Sequence, residues 1–198
     1  MEVGFQILDL LVRTASWIFI VALVARFLGQ LARADFYNPL GQTVIKITNP
    51  ALMPFRRIIP GLGGMDIAAL ILILLVQFAY AAFSVFVIRG VEVDLFQLAS
   101  WAVLAVAGII MEVLRWSMII VAIASWLTAG NSNPLLGFIT QMVEPFVGPF
   151  RKLKVQVGMM DFTYLVVFLV IIVLKDILLV SIAGSMGYAP QFRLFIGL

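Results

Sequence analysis

The chain has 198 residues, 64% hydrophobic and 12% charged, with a mean hydropathy of +1.15. Soluble domains carry roughly 25% charge, so this is a membrane composition, with room for four spans of about 20 residues and none for a separate soluble domain. The absence of Cys and His excludes disulfides, thiolate ligands and cysteine nucleophiles and removes the commonest general base, and the net charge of +3, with no dense basic run to suggest a nucleic-acid surface, reads as topology.

The first predicted span covers about residues 6–32, with its dense core at Ala15–Leu31 and Trp17 near one end as an interfacial aromatic. Arg26 lies inside it, seven residues from Arg33, about 10 Å of helix. Its guanidinium can snorkel to that end or serve a polar pathway. Ala32-Arg33-Ala34 resembles a signal-peptide cleavage site, but Glu2 and Asp9 make the start acidic and Arg26 interrupts the apolar run, so a retained span is expected.

Residues 33–66 form the first loop. Asn38-Pro39 and Asn49-Pro50 are helix-start signals, because Asn caps a free N–H and Pro fits the first helical position. They predict two short helices, 39–48 and 50–58. Leu40, Val44 and Ile47 share one face and Lys46 takes the other, which places the first at the membrane interface. Arg56 and Arg57 close the second, where cations suit the dipole. Pro60-Gly61 and Gly63-Gly64 then break the chain before Asp66 caps the second span, 67–88, whose polar members are Gln77 and Ser84.

The connection Arg89–Asp94 is net acidic. Residues 95–129 then run apolar except for Glu112 and Arg115, as one long tilted helix or two short ones broken near Gly108.

An internal repeat decides for one helix. Asn38-Pro39-Leu40 returns as Asn133-Pro134-Leu135, Pro50 as Pro145, Pro54-Phe55-Arg56-Arg57 as Pro149-Phe150-Arg151-Lys152, and Met65-Asp66 as Met160-Asp161, always 95 positions on. Residues 101–127 therefore match 6–32. The chain divides into repeat 1 (1–94) and repeat 2 (95–198), the latter with spans at about 96–129 and 162–183 around loop 130–161. The fold class expected is an all-α membrane protein: four transmembrane helices in two parallel span-loop-span repeats, with short amphipathic helices in the two loops. Those loops hold Arg33, Lys46, Arg56, Arg57, Arg151, Lys152 and Lys154, so the positive-inside rule puts both in the cytoplasm and both termini outside. The two copies then relate by a pseudo-two-fold along the membrane normal.

Arg56, Arg57, Arg151 and Lys152 recur at one place in each repeat, as grips for lipid phosphates or an acidic partner, or as interfacial anchors. Asp66 and Asp161 read as N-caps more than as ion ligands. Counting inward from the loop side, Glu112, Lys175 and Asp176 all reach a depth of about 21 Å, and Arg115 lies one turn nearer. These four charges are expected to form a neutralised intramembrane cluster, structural or ion-conducting. The matching residues of repeat 1 are Trp17, Ile20, Tyr80 and Ala81. No metalloprotease, nucleophile-elbow, Walker or dinucleotide motif occurs, so no catalytic residue, metal or cofactor is assigned.

The repeated loops, with Asn38-Pro39-Leu40, Asn49-Pro50, Pro54-Phe55-Arg56-Arg57-Ile58-Ile59-Pro60 and Gly63-Gly64-Met65-Asp66, resemble those of the YggT family of small bacterial membrane proteins. The second copy departs at Glu144, Val155 and Met159. The resemblance implies links to osmotic or ionic stress tolerance, to division-related gene neighbourhoods and to assembly of membrane complexes, with no enzymatic activity. The function expected is a non-enzymatic scaffold or assembly factor of the bacterial cytoplasmic membrane. Its partners would be membrane lipids and other membrane or division-associated proteins. The alternative is an ion channel or transporter component, which with four spans would require homo-oligomers.

Overall fold

The computed structural model describes residues 2–128, 134–157 and 160–187. Four helices are long and apolar enough to cross a membrane: Val3–Leu31, Ile67–Ile88, Leu95–Ser125 and Thr163–Ser185. They belong to α1 (Glu2–Leu31), α3 (Ile67–Ala82, continued by a π-turn at Phe83–Ile88), α4 (Leu95–Thr128) and α6 (Thr163–Ile172). A π-turn at Val173–Leu179 continues α6 into α7 (Val180–Ser185). The helices α2 (Pro39–Ile58) and α5 (Pro134–Val147) occupy the two loops. The chain is an all-α membrane protein, and α4 runs without a break at Gly108.

The first loop differs from the two helices expected. Residues Pro39–Ile58 form one helix with Pro50 and Pro54 inside it. Each proline orphans the carbonyl four residues back, here those of Lys46 and Pro50. Lys46, Pro50 and Pro54 are all exposed, so water or headgroups can satisfy those carbonyls. Asn38 caps the helix as expected, its Oδ1 accepting the Gly41 N–H at 2.8 Å, whereas Asn49 is recruited by another span and caps nothing. The second loop is less regular: α5 contains Pro145 and gives way to a 3₁₀ turn, Gly148–Leu153, with Pro149 in its first turn.

Both loops close on the same short turn. Leu62 bridges Met65, and the matching residues Val157 and Met160 pair within two-residue strands β1 (Gln156–Val157) and β2 (Met160–Asp161). Gly63 and Gly64 hold φ of 60° and 84°, a left-handed region in which a side chain is strained.

Within repeats α1 packs on α3 and α4 on α6; between them α3 meets α4, and α1 meets both α4 and α5. The main core joins Ile20, Leu23 and Leu28 of α1, Ile73 of α3, Ile109 and Met118 of α4 and Phe138 of α5. Gly29 admits the Phe36 and Phe138 rings, which meet edge-on at 5.1 Å; a Cβ there would lie 2.9 Å from both. The pseudo-symmetry is incomplete. Whereas α3 contacts both α1 and α4, α6 makes no comparable contact with α1 among the described residues.

Candidate functional site: the paired loops and the intramembrane charges

The loop helices α2 and α5 touch each other, and both lie against α1. In repeat 1, Arg56 is turned inward. It ion-pairs with Asp66, donates from Nε to Asp66 Oδ2 at 3.1 Å and from Nη2 to Gln30 Oε1 at 3.0 Å. Asp66 Oδ1 meanwhile accepts the Ala69 N–H at 3.1 Å, capping α3. One buried carboxylate thus ties α2 to the start of α3.

Repeat 2 uses the equivalent pair more loosely. Arg151 Nη1 lies 3.5 Å from Asp161, while its Nε and Nη2 donate to Glu144 at 3.0 and 2.9 Å. The hydrogen bond to Glu144, above all, holds the Arg151 pKa above its ordinary value. The guanidinium also sits 5.8 Å from the centre of the Tyr164 ring. Asp161 lies one residue before the α6 cap position and still accepts the Thr163 N–H at 2.9 Å.

Arg57 and Lys152, the other two candidate loop cations, are exposed, and neither has a carboxylate within 4.0 Å among the described residues. The structure therefore separates each basic pair into one residue spent on the fold and one available at the surface. Its signal was present in the sequence as the ten-residue Arg-to-Asp spacing, 56 to 66 and 151 to 161. Of the other repeat-motif positions, Pro134 begins α5, and Asn133 lies outside the described residues.

Arg26 is 6% exposed. Its Nη1 donates to Thr48 Oγ1 at 2.6 Å and to Asn49 Oδ1 at 2.7 Å, so the side chain that reaches toward the loop end of its span stops on α2. The matching residues of repeat 2 are Val121, Val143 and Glu144, which leaves Glu144 free for Arg151.

Deep in the spans, Lys175 Nζ donates to Glu112 Oε2 at 2.7 Å. Glu112 Oε1 accepts from Arg115 and, at 2.7 Å, from Trp116 Nε1. Arg115 also lies 3.5 Å from Asp176. Two acids and two bases therefore form one neutral chain linking α4 to the π-turn after α6.

Repeat 1 has uncharged residues at the four matching positions, with the Asp9 carboxylate about one turn away beside Ser84. Ser84 Oγ donates to Asp9 Oδ1 at 3.4 Å. Neither polar atom of the buried Gln77 amide has a hydrogen-bond partner among the described residues. Sequence reasoning gave these residues no role; an i, i+3, i+7 polar stripe within an apolar span was the available sign. An orphaned buried amide is unfavourable by about 1–3 kcal/mol. Gln77→Met is thus expected to raise the melting temperature in micelles or leave it unchanged, and a marked fall would mean the amide has a partner.

A family profile described as CCB3/YggT matches residues 1–87 and 100–182. An uncharacterised protein of Pseudomonas aeruginosa is 34% identical over 94% of this chain and 95% of its own length. A Vibrio alginolyticus protein is 32% identical over 82% of this chain and 88% of its own. The uncharacterised protein YggT of Escherichia coli is 29% identical over 85% and 87%. No solved structure matches.

Proposed function

The chain belongs to the CCB3/YggT family, and from that premise we propose that it is a non-enzymatic membrane scaffold or assembly factor working through its paired loops. The observation that carries this reading is the contact between α2 and α5, which joins two copies of one motif into a single layer on one side of the bundle. Arg57 and Lys152 stand exposed at equivalent positions of that layer. An acidic segment of another membrane or division-associated protein is the partner such cations suit. The loops face the cytoplasm of a bacterial inner membrane and both termini lie outside, because the basic residues gather in the loops while Glu92 and Asp94 make the opposite connection acidic. Osmotic stress tolerance and division are the processes in which the partners act. The relatives named above carry no enzymatic name.

The test is crosslinked co-purification from native membranes, comparing wild type with Arg57→Glu plus Lys152→Glu. These exposed residues replace Arg56 and Arg151, whose reversal would break internal ion pairs. A partner held by wild type and lost by the variant is the expected result. A partner retained equally by both, or no partner in either sample, contradicts the loop-scaffold reading.

The intramembrane charges favour a second reading, ion passage through homo-oligomers. It requires saturable ion flux in proteoliposomes that disappears in Glu112→Gln.

A further inference from the structure

An apolar groove of about 420 Å³ opens between the repeats. Its walls come from α1 (Trp17, Ala25), α2 (Ile47), α4 (Ile109, Ile120) and α5 (Phe138), with the ion-paired Glu112 and the hydroxyls of Thr43 and Ser117 as polar members of a mainly apolar lining, and none of that lining belongs to α3 or α6. It lies along the α1–α4 contact, and α6 makes no contact with α1 comparable to that of α3 with α4 among the described residues. Apolar walls do not hold water, so within a membrane either a hydrocarbon chain or another helix fills such a space.

Length decides between them. The lined stretch of α1, Trp17 to Ala25, is about 12 Å long, and that of α4, Ile109 to Ile120, about 16 Å. One leaflet of the hydrocarbon layer is about 15 Å deep, and a crossing helix needs about 30 Å. Residues of α2 and α5 also line the groove, and these loop helices stand across the path that a partner helix would take out of the membrane. A chain that starts at the interface and ends near the midplane meets neither obstacle.

A charge lies beside the groove rather than in its lining, on the side of α2 away from Val44. Lys46 stands next to Ile47 and one turn from Thr43, both of which line the groove. It is exposed, with no carboxylate within 4.0 Å among the described residues, and α2 contains no acidic residue. We infer that the groove is a binding site for one acyl chain of an anionic phospholipid, with the headgroup phosphate on Lys46 at the loop face. This goes beyond the scaffold reading and does not depend on it, since lipid retention is measured without any protein partner.

The test uses purified full-length protein in micelles. Native mass spectrometry with phosphatidylglycerol, phosphatidylethanolamine and glycerophosphate measures retention. Phosphatidylglycerol carrying a diazirine near the end of one acyl chain maps the contact. Retention of phosphatidylglycerol at least tenfold above phosphatidylethanolamine is expected, with crosslinks on the peptides of residues 17–25 and 109–120. Lys46→Gln is expected to abolish the preference, and Ala25→Trp, which fills the groove, to abolish the crosslinks. Should Ala25→Trp fail to fold, Ile47→Trp, at an exposed position, makes the same obstruction from the rim. Crosslinks spread equally onto exposed Leu165 and Leu169 of α6 would mean annular lipid only. Glycerophosphate bound as well as the intact lipid would make this a headgroup site without a chain. A protein adduct in place of a lipid adduct, from a photoreactive residue at Ile18, would assign the groove to a helix. Each of these three results overturns the proposal.

Discussion

Glu112→Gln is expected to destabilise the protein by about 3 kcal/mol, because removing one partner of a buried ion pair strands the other. The side chain of Lys175 is 10% exposed, and Glu112 is its ion-pair partner among the described residues. Lys175→Met should have a smaller effect, since Glu112 keeps Arg115 and the Trp116 N–H. The double variant should then be more stable than the sum of the single effects requires, because it leaves no stranded charge. Reversible unfolding in mixed micelles measures all four proteins. Strict additivity would mean that the 2.7 Å contact between Lys175 and Glu112 carries no coupling.

The second large effect distinguishes two equivalent positions. Arg56→Ala is expected to destabilise by about 2–3 kcal/mol, since it leaves the Asp66 carboxylate, 4% exposed, without its cation. Arg151→Ala should change stability by about 1 kcal/mol or less, because its closer partner Glu144 is 46% exposed, its contact with Asp161 is the longer one at 3.5 Å, and water replaces what is lost. Equal losses at the two sites would mean that the two loops are anchored alike, contrary to the geometry of their ion pairs.

Features carried by local or periodic pattern were legible in the sequence. The 95-residue offset argued for a continuous helix through Gly108, and α4 runs unbroken from Leu95 to Thr128. Asn38-Pro39 named a helix start, and Asn38 caps α2. Depth arithmetic brought Glu112 and Lys175 to one level, and their side chains meet. Asn49-Pro50 carries the same local signal as Asn38-Pro39, yet the helix passes through it. What differs is Arg26, on another span, which takes the Asn49 side chain and fixes Thr48 beside it. No local rule contains that contact. Arg56 and Arg57 are likewise adjacent and chemically alike, and one turn angle sends the first to Asp66 and the second to the surface. The groove was illegible for the same reason, since its walls come from α1, α2, α4 and α5 together rather than from any one helix.

The asymmetry of the repeats follows from a few substitutions. Repeat 1 ties its loop down with Arg26, Thr48 and a buried Asp66 and carries Trp17, Ile20, Tyr80 and Ala81 where repeat 2 carries its four charges. In repeat 2, valines replace Arg26 and Thr48, and the charges move into the spans at Glu112 and Lys175. A duplicated frame has thus been differentiated into one copy with a firmly held loop and another with a charged membrane interior.

A single loop surface requires both loops to lie on one side of the membrane. Because the chain contains no cysteine, single-cysteine variants at Arg57, Lys152 and Glu92 can be labelled in intact cells with a membrane-impermeant thiol reagent, before and after permeabilisation. Arg57→Cys and Lys152→Cys should react only after permeabilisation, and Glu92→Cys should react from outside. Labelling of Arg57→Cys and Lys152→Cys from opposite sides would contradict the parallel repeats and, with them, the single loop surface on which the proposed function depends.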